Sequence, residues 1–303
     1  MDVIVTGGRG ASGEWIVDRL AASHEVTCLD RDRPNDGGTE GVDYLAVDLT
    51  DPGAVFDIFT ATDPDAVVHW AAIPVAGTHP EGRVFETNVL AAHNVLTAAG
   101  RTDAPIVQAS SDGAYGFFFA EPTPVPDEVP VTESHPLRPE DPYGLSKVTA
   151  EQTAAAVARR HDVSAVSVRP SWIQYPGAYA CRAPAYTEDL DAGAGNFWSY
   201  VDVRDVAALV ARAVDTLLAD HPPIPSGTHE AVNCAAADNA LGRPLLKLLR
   251  AVYDEVPDAT AVSEDDDRSV YAVERARELF DWEPQHSWRT AATATVEEPT
   301  LHE

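Results

Sequence analysis

Lysine is almost missing: of 21 basic residues only Lys147 and Lys247 are lysines. Arginine's planar fork does not replace a compact ammonium where a point charge must sit close to another group. A lysine kept against such a bias is therefore a candidate for a required one. No apolar run approaches the ~20 residues that span a bilayer, and no basic, apolar, small-residue signal opens the chain; the expectation is a cytoplasmic protein without membrane contact. Basic charge is also short overall, with 21 basic against 49 acidic residues and a net charge of −28. Such a surface repels phosphate backbones, which argues against nucleic acid as a partner. Cysteine is limited to Cys28, Cys181 and Cys234. Their odd count and lack of metal spacing argue against a disulfide framework. Histidines are scattered with no His-x-x-x-His pair, so no metal is expected. No Gly-x-Ser-x-Gly elbow marks a hydrolase of that fold.

The 303 residues, 45% of them hydrophobic, suffice for a full core in one large or two small domains. Acidic residues are spread along the chain, with one local run at Glu264-Asp265-Asp266-Asp267. Diffuse acidity with little lysine is similar to proteins from salt-accumulating halophiles, where salt screens the self-repulsion.

Val3-Ile4-Val5 is a short apolar run bounded by glycine, the pattern of a buried parallel strand. Gly7-Gly8-Arg9-Gly10-Ala11-Ser12-Gly13 follows, then Trp15, Ile16, Val17 and Leu20 at helical spacing. Glycines at 7, 10 and 13 allow a tight turn, close approach to a pyrophosphate and helix-on-strand packing, with the helix N-terminus facing the phosphates. A second strand over 25–29 ends in Asp30, where an acidic side chain would hold a ribose 2′-hydroxyl. Together these features indicate a dinucleotide site. Arg31 and Arg33 could meet a 2′-phosphate, whereas Asp30 would repel one; NAD is favoured and NADP stays open.

Further strands are expected at 43–47, 66–69, 105–109, 163–168, 200–203 and 230–234, with a strand-like stretch at 269–273. Helices are expected at 52–60, 80–99, 205–218 and 244–252, with another ending at Phe280 and a frayed tail beyond Thr290. This alternation predicts an α/β fold, a doubly wound parallel sheet (Rossmann), with ligands outside the strand carboxyl ends. The organisation expected is a dinucleotide-binding domain over 1–170, with 200–235 packing back onto it. Residues 171–199 and 236–303 would form a small C-terminal substrate-binding region. Small residues at Ala71 and Ala72 would let a nicotinamide-side ribose lie against the backbone. Ser111 sits at a strand end, where a serine could equally cap a turn. The proline-rich stretch 113–142 reads as a long loop beside those ends.

Pro142-Tyr143-Gly144-Leu145-Ser146-Lys147 opens an Ala-rich helix. Tyr143 and Lys147, four residues apart, share one helix face. A free tyrosine, with a pKa near ~10, is a poor base at neutral pH, and an adjacent ammonium would lower that value. An ordinary helical pair would show the same spacing.

Taken together, the chain resembles the extended short-chain dehydrogenases/reductases, often labelled NAD-dependent epimerase/dehydratase, over nearly its whole length. The matching residues are Gly7-x-x-Gly10-x-x-Gly13, Asp30, Asp48-Leu49, Ser110-Ser111 with Tyr115-Gly116, Tyr143-x-x-x-Lys147 and Arg169-Pro170. The stretch Tyr200-Val201-Asp202-Val203-Arg204-Asp205-Val206-Ala207 and the closing Leu279-Phe280-Asp281-Trp282-Glu283-Pro284 complete them. The resemblance implies Tyr143 as acid/base, Lys147 as its ammonium partner and ribose ligand, and Ser111 as hydroxyl donor to the substrate oxygen. It also implies a cofactor path along Gly7, Gly10, Ala11, Ser12, Gly13, Asp30, Arg31, Asp48, Leu49, Ala71, Ala72, Asn88, Ser110 and Pro170.

Two departures bear on the substrate. Members acting on sugar nucleotides have a longer segment between the Arg-Pro strand end and the Val-Asp-Val-Arg-Asp-Val-Ala stretch, whereas about thirty residues separate Arg169 from Val201 here. Trp172 also stands where those members usually carry asparagine. The short, aromatic version resembles the uronate and aldose 1-dehydrogenases, which oxidise a free sugar to a lactone. The expected activity is thus hydride transfer from C1 of a free aldose or uronate to NAD(P). A sugar-nucleotide epimerase or dehydratase is the alternative, and a nucleotide-sensing regulator would have lost Tyr143 or Lys147. Substrate contacts are expected from Ser111, Asp112, Tyr143, Trp172, Tyr179 and Arg182, although Arg182 could merely cap a surface loop. Alanine clusters at 91–92, 98–99 and 154–156 suggest close helix packing in a homodimer, or simply packing on the sheet.

Overall fold

The computed structural model describes residues 1–34, 38–74, 77, 79–253, 256–296 and 299. Seven parallel strands form the central sheet: β1 (Asp2–Thr6), β2 (Glu25–Asp30), β3 (Val42–Ala46), β4 (Ala66–His69), β5 (Ile106–Ala109), β6 (Ala165–Pro170) and β7 (His229–Cys234). Their spatial order is β7-β6-β5-β4-β1-β2-β3. The order reverses between β1 and β4, which pair directly through Val3↔Ala66 to Thr6↔His69. This doubly wound parallel sheet opens a crevice at the carboxyl ends of those two strands.

Strand side chains alternate between two apolar faces, as a sheet covered on both sides requires. Val3, Val5, Ala66 and Val68 join one cluster with α1 (Gly13–Ala21) and the long helix Val203–Leu217. Ile4, Val67 and Ile106 join the other with α2 (Pro52–Thr62), α3 (Glu81–Arg101) and α4 (Pro142–His161). The first cluster runs on into Leu245, Leu248, Phe280 and Trp282, so residues 236–291 share the sheet's core. Among the described residues no helix is long and apolar enough to cross a membrane.

Short-range chemistry sets the helix starts. Asp51 accepts the amides of Gly53 and Ala54 ahead of Pro52, and Asp141 accepts that of Gly144 ahead of Pro142. Both are N-caps followed by a proline that lacks the amide hydrogen a first turn cannot use. The helix expected at 205–218 starts at Val203 because Asp202 caps it through the Arg204 amide. Elsewhere the expected boundaries shift by one or two residues. The stretch 269–273 contributes only the isolated bridge Val131↔Tyr271, with Asp238↔Arg268 beside it, rather than a strand. The tail expected to fray holds a helical turn at Trp288–Ala291 with Ala291 buried; residues 297–298 and 300–303 lie outside the described residues.

The alanine clusters pack within the chain except for half-buried Ala155 and exposed Ala156. Ala91, Ala92, Ala98, Ala99 and Ala154 all lie in the core beneath the sheet. A Cβ at Gly100 of α3 would stand 2.7 Å from Val157 of α4, a measure of how closely these two helices approach.

Candidate active site

The glycine turn after β1 is constrained by backbone. Gly7 has φ +72°, and a Cβ there would fall 2.5 Å from the Ala71 Cα. A Cβ at Gly13 would fall 2.1 Å from the Gly7 carbonyl oxygen. Gly10 meets only the Gly7 oxygen, at 3.3 Å, so its open side is left to a ligand. No side chain caps α1 at Ser12, whose hydroxyl instead accepts the Trp70 indole N–H at 3.0 Å. The amides of Ala11, Ser12 and Gly13 thus open a helix whose positive end lacks a side-chain cap, a setting that suits a pyrophosphate. Asp30, at the end of β2, accepts the Arg9 amide at 3.1 Å and the Arg31 amide at 2.7 Å, which ties the glycine turn to the end of β2. Asp48 is exposed and accepts the Thr50 amide and hydroxyl at 2.9 and 2.7 Å. Leu49 is buried, and its carbonyl accepts from Asn94 at 3.0 Å. The crevice therefore fits a dinucleotide.

Asn88 is buried and committed to the fold. Its oxygen accepts the Ile73 amide at 2.7 Å, and its amide group donates to the Ile73 carbonyl and the Ser146 hydroxyl, each at 3.2 Å. It fastens the segment after Ala71 and Ala72 onto α4.

The catalytic candidates converge where α4 crosses the end of β5. Ser111 caps a turn through the Gly113 amide at 3.0 Å, as the plainer expectation had it. Its hydroxyl also donates to Asp112 Oδ1 at 3.2 Å and lies near enough to the Tyr143 phenol to act on it. Lys147 is buried, donates to the Ala109 carbonyl at 2.8 Å and stands 5.5 Å from the centre of the Tyr143 ring. Ser110 donates to Glu151 at 2.5 Å, and Pro170 closes β6.

The electrostatics correct one expectation. Burial pushes the Tyr143 phenol up to about 12, the Ser111 hydroxyl opposes this, and the Asp112 and Asp141 charges add to it. The Lys147 charge expected to lower the phenol is not among those acting on it; burial lowers the lysine itself to about 8, against the Glu151 charge. Asp112 is raised to about 6 by burial, against hydrogen bonds from Ser111, Gly113 and Tyr271.

The substrate candidates separate. Trp172 is 38% exposed and packs on buried Tyr186 with ring centres 5.2 Å apart. Tyr186 in turn feels the Asp112 charge. Tyr179 is buried, donates to Asp202 at 2.5 Å and packs edge-on against Tyr200. Arg182 lies 3.7 Å above the Trp288 ring and donates to the Ala240 carbonyl. Among the described contacts none joins Tyr179 or Arg182 to Ser111, Asp112 or Tyr143. Sequence reading did not single out Tyr186, Tyr271 or Glu151. Glu151 had a signal, since it continues the face of Tyr143 and Lys147 by one more turn. The two tyrosines had none, because their approach to Asp112 is made only by the fold.

Residues 3–224 match the family described as the NAD dependent epimerase/dehydratase family. The chain is 32% identical over 181 residues to L-arabinose 1-dehydrogenase (NAD(P)(+)) of Haloferax volcanii, covering 56% of this chain and 66% of that protein. It is 29% identical over 157 residues to UDP-glucose 4-epimerase of Halalkalibacterium halodurans, covering 50% of this chain and 45% of that protein. These two matches span less than two thirds of the relatives' own lengths. Similarity at 25% identity to UDP-glucose 4-epimerase of Streptococcus mutans reaches 94% of this chain and 92% of that one. Among solved structures, UDP-glucose 4-epimerase of Thermotoga maritima with UDP-glucose superposes with a TM-score of 0.69 at 22% identity, covering 97% of this chain and 96% of that one. The Bordetella bronchiseptica enzyme WbmG in complex with NAD gives 0.66 at 22% identity, covering 97% and 92%. At these identities the structural matches establish the fold.

Proposed function

Because the chain is an enzyme of the NAD dependent epimerase/dehydratase family, we propose that it oxidises a free, neutral aldose at C1 to the lactone, using NAD(P). The observation that carries this reading is the charge of the segment 171–199. Its single basic residue is Arg182, against Glu188, Asp189 and Asp191, and that guanidinium is engaged by Trp288 and the Ala240 carbonyl. A nucleotide diphosphate or a uronate carboxylate needs cationic donors. Asp112 beside Ser111 adds an acid that accepts sugar hydroxyls and repels anions. The exposed Trp172 face suits the C–H side of a pyranose. The likeness to a sugar 1-dehydrogenase supports the same chemistry.

In this reading the glycine turn and the amides of Ala11, Ser12 and Gly13 hold the pyrophosphate, and Asp30 takes the adenosine ribose and favours NAD. When bound, the oxidised dinucleotide supplies the hydride acceptor. Tyr143 takes the proton from the anomeric hydroxyl, Ser111 holds the same oxygen, and Lys147 keeps positive charge beside the tyrosine. A UDP-sugar 4-epimerase is the second reading, favoured by the alignment with the Streptococcus mutans enzyme over 94% of this chain.

The deciding experiment offers free pentoses, hexoses and uronates, and separately UDP-hexoses, with NAD or NADP at molar salt, following reduced nicotinamide and sugar products. Reduction with neutral aldoses is expected. Inert free sugars together with epimerised UDP-hexose would transfer the assignment to the second reading.

A further inference from the structure

Three consecutive residues leaving β5 are each held by a different turn of α4. Ser111 meets Tyr143, Lys147 donates to the Ala109 carbonyl at 2.8 Å, and Ser110 donates to Glu151 Oε1 at 2.5 Å. Tyr143, Lys147 and Glu151 follow at intervals of four along one helix face. Glu151 is only 2% exposed, and a buried carboxylate needs a partner. Arg169 at the end of β6 supplies it in fork geometry, with Nε to Oε1 at 2.8 Å and Nη2 to Oε2 at 2.7 Å. The same guanidinium is itself fixed by donating to the Tyr115 hydroxyl at 3.0 Å and the Glu133 carbonyl at 3.1 Å.

We propose that Glu151, clamped by Arg169, is a positioning residue that acts through Lys147, holding the lysine's ammonium charged and in register beneath Tyr143. The charged surroundings support this sign. Facing Lys147 are Tyr143 and Glu151 from its own helix and the imidazole of His69 from β4, which burial and the Lys147 charge keep neutral. Facing Glu151 are Arg169 from β6, the Ser110 hydroxyl from the end of β5 and the imidazole of His229 from β7. Glu151 is therefore the single anion acting on Lys147 among these groups, and it works against the burial that brings the lysine to about 8. Without it, burial would lower Lys147 further and leave less of its charge beside the phenol near neutral pH.

The scarcity of lysine makes a direct test available. With only Lys147 and Lys247 in the chain, protein labelled with 13C at the lysine ε-carbons gives two titrating signals, and exposed Lys247 serves as the internal control. In Glu151→Gln the Lys147 midpoint should fall by about one unit, the lower end of the effect of a nearby opposite charge, while Lys247 stays in place. The alkaline limb of kcat/KM should fall with it. Glu151→Asp should recover most of the shift. Glu151→Gln leaves Arg169 buried without its partner and could fail to fold. The double variant Glu151→Leu/Arg169→Met removes both charges, a change cores tolerate, and should also lower the Lys147 midpoint. A Lys147 midpoint unmoved in either folded variant overturns the assignment. The proposal rests on the catalytic reading only for its kinetic consequence. The titration reads Lys147 without turnover, so its failure is separate from a failure to find the sugar substrate.

Discussion

Asp112 gives the sharpest test of the site's electrostatics, because neutralising an acid should here help a base. Its carboxylate accepts from the Ser111 hydroxyl at 3.2 Å, and both Asp112 and Ser111 act on the Tyr143 phenol. A separation of about 5–6 Å is the far end of the range over which a neighbouring charge shifts a pKa. At an effective dielectric of about 20, unit charges at that distance interact by about 3 kcal/mol, or roughly two pKa units. Tyr143 is only half-buried, so screening reduces the expected effect to about one unit. The sign follows from the roles. Asp112, at about 6, is ionised above that pH and raises Tyr143. As base, Tyr143 works deprotonated, so a lowered pKa moves the acidic limb of kcat to lower pH. Asp112→Asn keeps an acceptor for Ser111 and the Gly113 amide while removing the charge. Measured at saturating sugar and cofactor, kcat of Asp112→Asn should show its acidic limb about one unit lower than wild type, with kcat at pH 7 raised by up to about tenfold. The KM for sugar can rise separately, since Asp112 also accepts hydroxyls in the proposed complex. An acidic limb that stays in place or moves upward would show that Asp112 does not act on Tyr143 through its charge.

Tyr143→Phe keeps the ring and removes the ionisable oxygen, so turnover should fall by ~10²–10⁴-fold while nicotinamide cofactor still binds by fluorescence; activity within about threefold of wild type would remove Tyr143 from the chemistry. Asp30→Ser removes the carboxylate that anchors the Arg9 and Arg31 amides and should raise kcat/KM for NADP relative to NAD. A ratio that holds or moves toward NAD would locate cofactor choice elsewhere. Leu90 on α3 and Leu145 on α4 are 42% and 46% exposed on helices joined at Asn88 and Ser146, which suggests that these helices meet a second copy. Sedimentation at molar salt should give a dimer of the 32.4 kDa chain, and Leu145→Asp should weaken it; a monomer at every concentration would rule the dimer out.

Several features were legible in the sequence because they depend on neighbours along the chain. Strand β1 shows an apolar run followed by the glycines its turn needs, and the Gly7 and Gly13 clashes explain why no other residue would serve there. The Asp–Pro starts of α2 and α4 are caps written within four residues. The spacing of Tyr143 and Lys147 fixes their common face whatever the rest of the chain does. Other features required the fold. The phenol's rise to about 12 depends on burial and on Asp112 and Asp141, which a four-residue spacing cannot reveal. Tyr179 and Arg182 stand in the segment expected to hold substrate, yet Asp202 claims the one, and Trp288 with Ala240 claims the other. Ala91, Ala92, Ala98, Ala99 and Ala154 could have faced a partner or the sheet, and they lie in the core against the sheet, whereas Ala156 is exposed. Tyr271 reaches Asp112 from 159 positions along the chain. Local patterns fix backbone turns and helix faces through bonds a few residues long. The charge state of a buried group and the partner of a long side chain are set by what distant segments bring within a few ångströms, and only packing decides that.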